Sequence, residues 1–143
     1  MNTQELKDKY GSALGDAMQH MLNNISPQGR FVFKHLIQAY AAAADKEAPL
    51  SLSLSAIRQE EGIKEEMIFP VVATGIGELF SSRVALMPTE HPESSPATWA
   101  LLDHVVFEGD ILNVRLASVT KMILASAHFV VIKPSGTSTE IKP

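Results

Sequence analysis

The chain of 143 residues contains no cysteine. That excludes a disulfide framework and any thiolate metal site, and makes residence in the cytoplasm the expectation. No apolar run approaches the roughly 20 residues of a membrane-spanning helix, so no membrane partner is expected. The amino terminus, MNTQELKDKYG, lacks the basic-then-apolar layout of a secretory signal. Basic residues are few as well: 12 against 16 acidic ones leave a net charge of −4. Such a balance offers no general attraction to nucleic acid, and any contact with DNA would need a local basic patch. Aromatic residues make up only 6% of the chain. Tyr10, Trp99 and Phe129 are too dispersed to form a platform on which single-stranded bases would stack.

Catalytic patterns are missing too. The five histidines, His20, His35, His91, His104 and His128, include no His-Glu-x-x-His pair. Asp103 and His104 are adjacent on an expected strand and so point to opposite faces. No serine stands in a Gly-x-Ser-x-Gly elbow. Gly75-x-Gly77 has neither the third glycine nor the preceding strand of a dinucleotide loop, and reads as a pair of close-packing positions inside a helix. We therefore expect no catalytic residue, no metal, no cofactor and no enzymatic activity.

What is present is an ordinary globular composition, 45% apolar and 20% charged, in a chain long enough for one hydrophobic core. One domain over residues 1–132 is expected, with 133–143, a polar stretch, as a disordered tail. Apolar residues from Leu6 to Leu22 recur at spacings of three and four, which predicts a helix over 3–23. Ser26 and Pro27 supply an N-cap and a first helical residue for a helix over 27–44. Leu50, Leu52 and Leu54 alternate with serines, the mark of a short strand with one buried face. Ser55 is positioned to cap a short helix over 55–61, and Gly62 suits the turn that follows. A longer helix over 64–81 comes next, with Pro70 in its second turn expected to kink it rather than break it. VALM (84–87) reads as a strand and 88–97, with three prolines, as a loop. TWALLDHVVFEGDILNVRL then reads as two strands joined by a three-residue loop, Glu108-Gly109-Asp110. Ser118 would cap a helix over 118–127, and HFVVIKP would add a last short strand.

Helix, helix, strand, helix-turn-helix, strand, loop, hairpin, helix is the order of an α+β winged helix-turn-helix with additional amino-terminal helices and a β-hairpin wing. Three stretches carry a more specific likeness: ISPQGRFVFKHLIQAY, LSLSLSAIRQEEGIKEEMIFPVVATGIGELFSSRVAL and TWALLDHVVFEGDILNVRLASVTKMILA. Over roughly residues 24–132 the chain resembles the amino-terminal winged-helix domain of the Rep-type plasmid replication initiators. In those initiators this domain mainly supports dimerisation and contacts the DNA backbone, whereas a second winged helix reads the origin repeats. No second winged helix is visible here, so the resemblance implies a fragment of an initiator or a stand-alone relative with a dimer-forming or regulatory role.

The helix at the recognition position begins poorly for DNA. Glu60, Glu61, Lys64, Glu65 and Glu66 set four acids against one base around the turn. Acids there favour the helix dipole by about 0.3–1 kcal/mol each, and they would repel phosphates. Met67, Ile68 and Phe69 are consecutive and cannot all share one buried face. They lead us to expect a dimer or partner interface comprising Met67, Ile68, Phe69, Val72 and Ile76, with a core widened by the additional helices as the other reading. The candidate DNA-backbone contacts are Arg30, Lys34, Arg58, Lys64, Arg83 and Arg115, which only the fold could gather. The expected partners are thus a second copy of the chain, with double-stranded DNA or another protein as further possibilities. Two alternative functions stay open, a small DNA-binding transcriptional regulator and a protein–protein adaptor.

Overall fold

A computed structural model describes residues 13–86, 97–126, 129–132 and 138–141. Its elements are α1 (Ala13–Asn23), α2 (Pro27–Ala42), β1 (Leu50–Ser53), α3 (Leu54–Glu61), α4 (Glu65–Ser81), β2 (Arg83–Leu86), β3 (Ala97–Ala100), β4 (Leu102–Glu108), β5 (Ile111–Leu116), α5 (Ser118–Ser126), β6 (Phe129–Ile132) and β7 (Ser138–Ile141). The architecture is an α+β winged helix. The part of the first expected helix that precedes Ala13, and most of the expected loop over 88–97, lie outside the described residues.

The sheet of the winged helix runs β1-β5-β4. Leu50 pairs with Val114 and Leu52 with Leu112, and all four are buried. On the other face Ser51 donates to Asn113 Oδ1 at 2.7 Å. The period-two pattern thus sorts leucine inward and serine outward. β1 ends one residue earlier than its sequence suggests, because Ser53 rather than Ser55 is the N-cap of α3. Its hydroxyl accepts from the Ala56 N–H at 3.2 Å, and Leu54 becomes the first helical residue.

Further differences concern strands. The expected single strand over 98–107 divides at Leu101. β3 pairs with β2, whereas β4 pairs with β5 to form the wing. Leu101 itself is fully buried, and its carbonyl accepts from the Ala117 N–H at 3.2 Å and from the buried Thr120 hydroxyl at 2.7 Å. The wing turn is also tighter than expected, since Glu108 pairs directly with Ile111. Only Gly109 and Asp110 are left to turn, and Gly109 takes the positive φ of 61° that favours glycine. The stretch 138–141 pairs as β7 with β6, and the rest of the expected tail, 133–137 and 142–143, lies outside the described residues.

The two long helices, α2 and α4, pack directly against each other. Where they cross, a Cβ on Gly75 would come within 2.4 Å of the Gln28 carbonyl oxygen, so only glycine fits. At the start of α2, Glu78 of α4 accepts from the Ser26 hydroxyl at 2.6 Å and from its N–H at 3.0 Å. Ser26 Oγ in turn accepts from the Gly29 N–H. One carboxylate therefore joins the second helix's cap to the recognition-position helix. α4 continues through Pro70 to Ser81.

Candidate interaction surface

The start of the helix-turn-helix is tied to the turn of the wing. Asp110, in the wing turn, accepts from the Ser55 N–H at 3.1 Å and the Ser55 hydroxyl at 2.8 Å through one oxygen. Its other oxygen accepts from the Ser53 hydroxyl at 3.0 Å, and its backbone carbonyl from the Leu54 N–H at 2.8 Å. An acid is thereby delivered to the first turn of α3, where the exposed N–H groups need an acceptor. The Ser55 hydrogen bonds hold the Asp110 carboxyl below its usual range. α3 ends at Gly62, in the left-handed region with φ 68°. After the turn, α4 starts with Lys64 as its N-cap and with Glu65 and Glu66 in its first turn.

α4 divides sharply by face. Ile68, Val72, Gly75, Ile76 and Leu79 are buried, whereas Met67, Phe69 and Phe80 are 46%, 52% and 50% exposed. Of the five interface candidates, Ile68, Val72 and Ile76 thus belong to the core of their own chain, and their burial removes them from any outer surface. Met67 and Phe69 remain outside. Phe69 leans on Phe107 of the wing, with ring centroids 5.0 Å apart at 55°. Gly77 faces open space: a Cβ there would meet nothing within 4 Å. It is therefore not the close-packing position its sequence context suggests, whereas Gly75 is.

The basic residues are largely occupied. Arg30 turns inward and donates to the carbonyls of Ile25 at 2.6 Å and Leu22 at 3.3 Å, closing the end of α1. Lys34 is only 2% exposed and pairs with Glu61 Oε1 at 2.5 Å. Lys34 is thus not presented to a phosphate on the outer surface, and the half-buried Arg30 is engaged by backbone carbonyls. Arg115 donates to the Glu47 carbonyl at 3.3 Å, and Lys121 lies 3.6 Å from the Glu47 carboxylate. Arg58 lies close enough to Asp110 to bias its charge. Arg58, Lys64 and Arg83 make no ion pair with another described residue. Lys64 and Arg83, however, flank opposite ends of a 17-residue helix, which is about 25 Å long at 1.5 Å per residue.

One cluster is invisible in the sequence. His35, 5% exposed, places Nε2 3.1 Å from the same Glu61 oxygen that binds Lys34, and its ring stands edge-on to Phe31. Burial, reinforced by the neighbouring Lys34 charge, pushes the His35 pKa down. Burial pushes Glu61 up, but the hydrogen bond and charge of Lys34 outweigh it and bring the carboxyl below its ordinary value. The available signal was the run FVFKHLI: every residue from Phe31 to Ile37 is buried, so its lysine and histidine had to find a partner inside. Among the described residues no group of histidines and acids could hold a metal ion, and no helix is long and apolar enough to cross a membrane.

No protein-family model matches the chain, and no curated protein matches it in sequence. Among solved structures it is similar to the X-ray crystal structure of the MSBI1.176 WH1 domain, described as a replication protein isolated from a multiple sclerosis patient. The TM-score is 0.61 at 11% identity, covering 77% of this chain and 88% of that one. The fold of this protein is that of the WH1 winged-helix domain of a replication protein.

Proposed function

We propose that this chain is a non-enzymatic winged-helix protein of the cytoplasm that acts in DNA replication or its control, mainly through self-association, with only weak contact to the DNA backbone. One observation carries the reading: α4, the helix at the recognition position, has no lysine or arginine among its 17 residues and exposes two phenylalanines and a methionine instead. A helix that reads DNA needs donors for base edges and phosphates. This one offers two acids and apolar surface, which suit a protein partner. The link to replication is supported by the shared fold of the MSBI1.176 domain and by the sequence resemblance described above.

Sedimentation velocity together with a salt-dependent gel shift tests the proposal. We expect a concentration-dependent dimer, with a faint shift of duplex DNA at low salt that vanishes as salt rises. A monomer at high micromolar concentration would sink the self-association. Tight, sequence-selective DNA binding that persists at physiological salt would instead favour a transcriptional regulator.

A further inference from the structure

We infer that the outward face of α4 seats the same helix of a second copy of this chain, the two lying antiparallel about a two-fold axis. This rests on the self-association proposed above and specifies where and how it occurs. The large apolar side chains that stand exposed among the described residues, Met67, Phe69 and Phe80, all lie on α4. Phe69, Ala73, Gly77 and Phe80 are spaced by four, four and three residues, which aligns them along one side of a helix. Small residues in the middle of that seam let two backbones approach, and Gly77 has open space in front of it.

The charges select the occupant and its direction. Glu65 and Glu66 stand exposed at the amino end of α4, and Arg83 stands exposed just past its carboxyl end. Phosphate would be repelled by the first pair, and a parallel second copy would set those acids against each other. An antiparallel copy sets acid against arginine at both ends and opposes the two helix dipoles favourably. The register is consistent. A two-fold axis crossing α4 midway between Thr74 and Gly75 puts Phe69 of one copy level with Phe80 of the other. The same axis puts Glu66 level with Arg83. One placement therefore satisfies both the apolar and the charged pairs. A single helix face is smaller than the ~800 Å² per partner of a standard interface, so dissociation in the micromolar range is expected.

The test is sedimentation velocity over a micromolar concentration series, with circular dichroism as a check on folding. Gly77→Arg enters open space and should leave the fold intact while weakening the dimer more than about tenfold. Arg83→Glu and Glu66→Arg should each weaken it by about tenfold, and the double variant should recover to within about threefold of the parent. A parent dimer that ignores all these changes would place self-association on another face and overturn this inference alone. Single variants that weaken the dimer without mutual rescue would overturn the antiparallel register. A monomeric parent would overturn both this inference and the proposed function.

Discussion

The two long helices that cross at Gly75 treat their side chains in opposite ways. α2 hides a lysine and a histidine, while α4 shows two phenylalanines and a methionine. Position in the fold accounts for the difference. α2 packs against α4 on one side and against β1 and β6 elsewhere, so its residues from Phe31 to Ile37 are enclosed whatever their polarity. Lys34 and His35 are tolerated because Glu61 meets both. α4 packs against α2, α3 and β4 and leaves one flank uncovered, where apolar residues persist. A polar group in the interior needs a partner within the chain. A cluster of apolar groups on the outside is what the proposed second copy would cover.

The largest effect should come from the crossing itself. Gly75→Ala forces a Cβ onto the Gln28 carbonyl, and we expect a net loss of about 1–3 kcal/mol even though alanine is the better helix former. Chemical denaturation would show it as a lower midpoint, and an unchanged midpoint would mean that α2 and α4 are not held as described. Next in size is Lys34→Ala, which leaves Glu61 without its ammonium. Because Glu61 is partly exposed, we expect about 1 kcal/mol rather than the full cost of a buried unpaired charge. Loss of less than a few tenths would show that the pair is solvated.

The same cluster predicts a pH dependence. His35 binds its proton less readily folded than unfolded, so stability should decline as pH falls through its ordinary value of 6.5. Glu61 contributes fully above its ordinary value of 4.5 and loses that contribution as pH falls through its lowered one. Both groups push in one direction, so the melting temperature should drop on acidification. His35→Gln should flatten the upper part of that profile, and an identical profile in the variant would remove His35 as the cause. Smallest of all, Gly77→Ala should raise stability by up to about 1 kcal/mol, since helix propensity favours it and nothing obstructs the methyl group. Opposite signs for alanine at two glycines two positions apart would be the most direct confirmation of the contrast between the faces of α4.

Much of this was legible in the sequence. Caps and turns announce themselves locally, as Ser26-Pro27 and Gly62 do, and the leucine–serine alternation of β1 needs no tertiary information. The consecutive Met67-Ile68-Phe69 correctly implied an exposed apolar residue, because no helical face is wide enough for three. Long-range choices were not legible. Ser53 and Ser55 are both plausible caps, and what distinguishes them is Asp110, which arrives from the wing and engages both. Arg30 and Lys34 look like surface charges until the end of α1 and the end of α3 are brought beside them. Gly75 and Gly77 read alike, and only the crossing of α2 tells them apart.

The insertion of β1 beside β5 has a consequence for how the molecule opens and closes. β4 and β5 form a local hairpin, but β1 can join only when Ser53 reaches Ile111, which encloses α3, α4 and the whole β2–β3 excursion in one loop. Closing so long a loop comes late relative to the hairpin. β1 lies at the edge of the sheet, so only its amides turned towards β5 are bonded, and those should exchange with solvent only when β1 leaves the sheet. The bonded amides within Leu50–Ser53 would then report the opening of that long loop, and any tightening of Asp110 on Ser53 and Ser55 would be read out there first.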